Sequence, residues 1–255
     1  MTKLSWHAAA VTDRGLKRLE NQDNYFVSPD DCVFAVADGM GGARDGAVAS
    51  RLAIDTVKQR WNNTKPERFF SGNTQNWLVD TVAEANLTIY GVSGKDDSPN
   101  RMGTTLVIAA QTEDGKMEIA HVGDSRAYLV RGGKADSLTF DHSVVMEMYL
   151  KKQLTKEQAF DSVYKNLLTR CLGHHDVIEI DKNVIEPRPG DWIVLCSDGL
   201  NSELRDEEIA TLVGSSRTPD EACKKLLDST KEHGASDNVT IVAVHYYEEA
   251  KTTLR

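Results

Sequence analysis

Five aspartates in this 255-residue chain stand where apolar, strand-like runs give out. Asp38 follows FAVA and opens a stretch rich in glycine, Gly39-Met40-Gly41-Gly42. Asp198 comes just after WIVLC, again as Asp-Gly, and Asp124 sits between MEIAHV and RAYLV. Asp237 lies just before NVTIVAV, and Asp23 just before NYFV. Taken singly, Asp-Gly reads as a turn, because aspartate bonds its own backbone and glycine accepts almost any φ. Brought together at one rim, the five would repel and raise one another's pKa unless a cation neutralised them. A set of oxygen ligands without His or Cys suits Mg²⁺ or Mn²⁺ and not zinc. Spacing alone leaves both readings open, five separate turns or one cation site.

The hydrophobic pattern predicts the elements that must carry these residues. WHAAAVTD, NYFV, CVFAVAD, TTLVIAAQ, MEIAHV, RAYLVR, DWIVLC and NVTIVAVHYY read as strands, bounded by turn residues. TTLVIAAQ, MEIAHV and RAYLVR follow so closely that an antiparallel meander is expected, with turns at EDGK and GDS. Helical spacing runs from Gly46 to Trp61, from Asn76 to about Tyr90, from about Arg205 to Val213 and from Pro219 to His233. Ser143 to Arg170 also reads as helical, with Thr155 and Gln158 at capping-box spacing. Strands and helices that do not alternate strictly as βαβ indicate an α+β fold. The tryptophans Trp6, Trp77 and Trp192 fall in these patterns as packing residues, and Cys196 as an inert buried thiol.

Composition narrows the function. A formal net charge of −9 argues against a nucleic-acid partner. The four cysteines, Cys32, Cys171, Cys196 and Cys223, form no C-x-x-C pair, which points to free thiols in a reducing cytoplasm. No signal peptide and no membrane-length apolar run are evident, and nothing in the pattern suggests an oligomer, so a cytoplasmic monomer is expected.

Seven short stretches carry more information as an ordered set. These are RLENQD (Arg18 to Asp23), VADGMGG (Val36 to Gly42), MGTT (Met102 to Thr105), VGDSRAY (Val122 to Tyr128), DHS (Asp141 to Ser143), CSDGL (Cys196 to Leu200) and SDNVT (Ser236 to Thr240). Each is weak alone, but in this order the chain resembles the metal-dependent Ser/Thr protein phosphatases of the 2C type, in their compact bacterial form. The likeness extends from about Trp6 to about His245. It implies a four-layer α-β-β-α sandwich, two antiparallel sheets flanked by helices, with a flap beside a metal cleft. It also implies one catalytic domain over 1–247, with the flap at about 143–170 and a tail at 248–255.

By the same resemblance, Asp38 matches the carboxylate that bridges two core ions, and the carbonyl of Gly39 matches a ligand of the first. Asp198 and Asp237 match ligands of the second ion. Asp23 matches the residue that holds a metal-bound water, and Asp124 a ligand of a weaker third ion shared with Asp198. Arg18 matches the arginine that grips the substrate phosphate. The implied activity is hydrolysis of phosphoserine and phosphothreonine on proteins by a water activated at Mn²⁺ or Mg²⁺. Phosphorylated proteins are the implied substrates, and a cognate Ser/Thr kinase is an implied partner.

Three places depart from the family pattern. Many relatives read DGMGGH, whereas Ala43 takes the histidine's place here, followed by Arg44. The leaving-group proton must then come from a water or another acid; His142, His174 and His175 are candidates, although each reads first as structural. In the flap, a frequent glycine falls on Lys152 and a frequent His-Pro pair on Ser162 and Val163. The helix from Thr155 is therefore expected to run on past Ser162. A rival reading, a metal-binding but catalytically weak regulatory module that recognises phosphoproteins, has only Ala43 as its foothold. A third is an enzyme for small phosphoesters in the same cleft.

Overall fold

Strand β3 (Val33–Met40) shows how the pattern builds layers. Its alternate side chains diverge: Val33, Ala35 and Ala37 join one core cluster, while Phe34 and Val36 join another. Both faces are buried, so the strand reads as a continuous apolar run. The structure is a computed structural model, and it describes residues 4–28, 31–41, 45–64, 74–93 and 101–248.

Two antiparallel sheets face one another. The first runs β1 (Leu4–Asp13), β11 (Val239–Glu248), β10 (Trp192–Cys196), β7 (Arg126–Arg131) and β8 (Lys134–Ser137). The second runs β2 (Asp23–Val27), β3, β5 (Leu106–Gln111), β6 (Met117–Val122) and β9 (Asp181–Ile185), with β4 (Gly103–Thr104) paired to the end of β3. Phe34, Val36, Ile193, Leu195, Val242 and Val244 fill the space between them. Helices α1 (Asp45–Thr64) and α2 (Thr74–Val92) cover the outer face of the second sheet. Helices α5 (Asp198–Asn201), α6 (Asp206–Gly214) and α7 (Pro219–His233) cover the first. The α-β-β-α sandwich is the expected one. Trp6 packs edge-on to Phe34, and Trp77 edge-on to Trp61, as packing residues should.

The expected meander is only half present. β5 pairs with β6, but β6 and β7 belong to different sheets. Residues 123–125 therefore form a crossover from one sheet to the other, and Gly123 takes φ +105 at the turn. Hydrophobic periodicity could not reveal this, because a strand has the same alternation whichever sheet it joins. Two strands escaped the pattern. β8 follows β7 through Gly132 and Gly133, both at positive φ, and β9 is a half-exposed strand at the edge of its sheet.

Residues 143–170 are also less helical than their spacing predicts. They hold only α3 (Val144–Leu150) and α4 (Lys156–Phe160). The capping box exists: Thr155 Oγ1 accepts from Gln158 N at 3.2 Å, and Gln158 Oε1 accepts from Thr155 N at 2.8 Å. Yet α4 stops at Phe160 and does not continue past Ser162, whose Oγ accepts from Tyr164 N in a local turn. No residue of α4 is buried, so no packed face offsets the cost of extending it. Lys152 stands at φ +58, a left-handed position that glycine tolerates better.

Candidate metal centre

The acidic residues converge where the two sheets meet the crossover. Asp23 and Asp38 are directly opposed in the β2–β3 ladder. Asp38 lies inside β3, two residues before its end, and not beyond the strand as FAVA suggested. Its backbone is held tightly: Asp38 N donates to Thr105 Oγ1 at 2.9 Å, while its carbonyl accepts from Thr105 N at 2.9 Å and Thr104 Oγ1 at 2.7 Å. Thr105 Oγ1 in turn lies 2.6 Å from Ser125 Oγ, which ties β3 to the crossover that carries Asp124.

Asp198 arrives from the other sheet, as the first residue of α5 after β10. Ser197 before it donates from Oγ to Asp23 Oδ2 at 2.7 Å and accepts from Thr240 N at 2.9 Å, so one hydroxyl joins β2, β10 and β11. Asn238 does similar work for the loop that carries Arg18. Its Oδ1 accepts from Gln22 N at 2.8 Å, and its Nδ2 donates to the Arg14 and Glu20 carbonyls, both at 2.9 Å. Beside it, Asp237 Oδ2 accepts from the Arg18 guanidinium at 2.6 Å. Thr105, Ser197 and Asn238 were not singled out from the sequence, although each lies inside one of the ordered motifs. Their signal was there; their task shows only in three dimensions.

Electrostatics describe one cluster. Burial pushes all four of Asp23, Asp38, Asp124 and Asp198 above the usual carboxylate range, and their mutual repulsion adds to it. Asp23 rises to about 7 and Asp198 to about 6, even though Ser197 and Thr240 donate to Asp23 and a hydrogen bond with Asp38 favours ionised Asp198. Asp38 feels Asp23, Asp198, Asp124 and Asp237 at once. Two buried oxygens, Asp23 Oδ1 and Asp198 Oδ1, have no hydrogen-bond partner among the described residues. Crowded carboxylates with orphaned oxygens and no nitrogen or sulfur donor among them fit hard divalent cations.

Gly39 needs its lack of a side chain for packing. A Cβ there would meet the Gly46 carbonyl oxygen at 2.0 Å and that of Gln22 at 2.8 Å, so the start of α1 can approach only a glycine. Gly42, Ala43 and Arg44 lie outside the described residues.

A second group of donors forms behind the crossover, where His121, His142 and Asp181 come within 4.8 Å. His121 stacks on His142 with ring centroids 4.8 Å apart and bonds the Phe140 carbonyl at 3.0 Å. His142 Nδ1 accepts from Gly123 N, and the Arg170 guanidinium fills the space beside His142 Nε2 and Asp181, at 3.1 and 2.7 Å. A resident cation and a fully engaged imidazole make this a structural network: burial holds His142 down at about 4, and with Nδ1 accepting, the neutral ring keeps its proton on Nε2, beside Asp181. His175 is exposed.

Comparison with known proteins agrees with this geometry. Residues 16–237 match the family model described as "Protein phosphatase 2C". The chain is 36% identical over 241 residues to the "Serine/threonine phosphatase stp" of Listeria monocytogenes, covering 93% of this chain and 95% of that one. Among solved structures it resembles the catalytic domain of the serine threonine protein phosphatase PstP in complex with two manganese ions. That likeness has a TM-score of 0.83 at 31% identity, over 96% of this chain and 100% of PstP's. It also resembles the Staphylococcus aureus phosphatase Stp1, with a TM-score of 0.86 at 29% identity, over 94% and 95% of the two chains.

Proposed function

The chain belongs to the protein phosphatase 2C family, and from that premise we propose that it hydrolyses phosphoserine and phosphothreonine on proteins at the acidic cluster. The observation that carries the reading is the convergence of Asp23, Asp38, Asp124 and Asp198 from both sheets, with two orphaned carboxylate oxygens, beside a half-exposed Arg18.

Asp38, Asp198, Asp237 and the Gly39 carbonyl would hold two core ions, and Asp124 with Asp198 a weaker third. Mn²⁺ or Mg²⁺ bound there supplies an acidified water as nucleophile near neutral pH and absorbs charge from the phosphoryl group. The protein's own residues do the rest. Asp23, fixed by Ser197, offers its free oxygen to orient a water. Asp38 is locked through Thr104 and Thr105, so its carboxylate is positioned before substrate arrives. Arg18 presents a planar fork whose remaining N–H groups suit two phosphate oxygens.

The same proposal includes a single catalytic domain over 1–247 with its flap at about 143–170, a tail from 248, a monomeric state, a cytoplasmic location and a cognate kinase. No helix among the described residues is long and apolar enough to cross a membrane, which is compatible with it. The regulatory-module alternative loses ground because every acidic position it would have to lack is present and gathered.

The test is phosphate release from a phosphothreonine peptide with Mn²⁺, with EDTA, and with Asp38→Ala. Metal-dependent turnover should fall roughly a thousandfold in the mutant, the scale of losing a preorganised electrostatic element. No release by folded, metal-loaded wild type would favour the binding-module reading.

A further inference from the structure

Asp23 takes a hydroxyl hydrogen bond from Ser197, and Asp237 takes the Arg18 guanidinium. Among the described residues, no hydrogen bond from another residue aims the buried Asp124 carboxylate. Its direction must therefore come from the backbone. Gly123, just before it, takes φ +105, and a Cβ there would meet the Thr105 side chain at 2.6 Å. Glycine is required at this turn, yet a glycine swings freely unless its N–H and C=O are both held.

One residue holds both. Gly123 N donates to His142 Nδ1 at 3.0 Å, and the Gly123 carbonyl accepts from His142 N at 3.0 Å. Asp141, the preceding residue, receives the Arg126 guanidinium through two bonds of 2.7 Å. The dipeptide Asp141-His142 thus clasps the crossover on both sides of Asp124, at residues 123 and 126. The imidazole cannot turn away: it is 6% exposed, stacked on His121, and closed at Nε2 by Arg170 and Asp181. Thr169 N also donates to the His142 carbonyl at 2.8 Å. Packing alone would need no nitrogen at the Nδ1 place. A carbon there would leave the buried Gly123 N–H unpaired.

Resting on the reading of Asp124 as a ligand of the weaker third ion, we propose that His142 is a positioning residue for that ion. Its Nδ1 fixes the Gly123 peptide, and with it the direction in which Asp124 leaves the crossover. Side chains that orient a ligand without touching the metal set affinity by about 10- to 100-fold. The core ions draw on Asp38 in β3 and on Asp198 at the start of α5, which other bonds hold, so the effect falls on the weaker site.

The experiment titrates full-length protein with Mn²⁺ by calorimetry, in wild type, Asp124→Ala, His142→Ala and His142→Asn. Asp124→Ala identifies the weaker class of site by its loss. Asparagine carries an oxygen acceptor close to where Nδ1 stands, but none of the ring that stacks on His121 and meets Arg170. His142→Ala should weaken that class by about 10- to 100-fold and keep the tighter class, whereas His142→Asn should stay within about threefold of wild type. His142→Gln, whose acceptor lies one bond further out, should behave like His142→Ala and replaces it if the alanine variant does not fold. In metal-free protein the Gly123 amide should exchange about fivefold faster in His142→Ala and at the wild-type rate in His142→Asn. Unchanged weak-site affinity in His142→Ala overturns the proposal. Equal weakening by Ala and Asn also overturns it, because ring packing would then be the cause. A wild type with no site that Asp124→Ala removes overturns it too. Phosphate release from a phosphothreonine peptide is scored on the same samples. The expected Mn²⁺ pattern without release by wild type would uphold the clasp and sink the phosphatase reading alone.

Discussion

Asp23 carries the clearest pH signature in the molecule. Its carboxyl rises from 3.8 to about 7 in the fold, first because it is buried and also because Asp198 and Asp237 face it. A raised folded pKa fixes the sign. Below about pH 4 both folded and unfolded chains hold the proton, and folding carries no penalty. As pH climbs toward 7, the unfolded chain gives up its proton while the fold retains one, so stability drains away. Asp198, raised to about 6, acts in the same direction over a narrower window. With EDTA present, the urea stability of the wild type should therefore fall by about 5 kcal/mol between pH 4.5 and 7.5, counting these groups. Asp23→Asn should remove most of that slope, and Mn²⁺ should stabilise the wild type more at pH 7.5 than at 4.5. A metal-free profile equally steep in wild type and Asp23→Asn would refute the assignment. The buried thiols play no part at these pH values; burial holds all four near 12.

At the scale of elements, function depends on where strands stop and how they cross. Asp124 reaches the cluster because a short turn hands the chain from β6 to β7 in the other sheet. The segment 143–170 depends instead on short helices with little packed beneath them. Lys152, between α3 and α4, holds φ +58, and its N–H donates to the Tyr149 carbonyl at 2.8 Å. For a residue with a Cβ this left-handed conformation costs about 1 kcal/mol, less what glycine loses in chain entropy. Lys152→Gly should consequently slow amide exchange at residues 152 and 153 by about two- to fivefold, leaving the strand β10 unaltered. Faster exchange there would mean that the lysine side chain stabilises the turn in some other way.

Across the whole molecule, one apolar layer couples both sheets. Ile193, fully buried on β10, packs in the same cluster as Phe34 and Val36 of β3 and Val242 and Val244 of β11. Ile193→Ala should cost about 2–5 kcal/mol, by lost transfer energy and the cavity left behind. Because the layer is shared, tryptophan fluorescence and far-ultraviolet circular dichroism should report one coincident urea transition. Separate transitions would show that the sheets unfold independently.

How much was legible beforehand follows from what each signal measures. Apolar alternation reports burial, so it announced β3, β6, β10 and β11, the helices α1, α2 and α7, and the layered α+β architecture before any coordinates. Ordered motifs brought Asp23, Asp38, Asp124, Asp198, Asp237 and Arg18 together on paper. Burial patterns do not report partners, however, and so the β6–β7 crossover read as a hairpin. Half-exposed β8 and β9 gave too little contrast, and helical spacing at 143–170 overstated what an unburied segment can form. Local chemistry in the sequence determined the strands, the caps and the inventory of acidic residues. Tertiary structure alone decided that Ser197, Asn238 and Thr105 bolt those carboxylates together, and that Arg18 reaches Asp237. Both outcomes depend on residues far apart in the chain, and only the packing of the two sheets brings those residues within hydrogen-bonding distance.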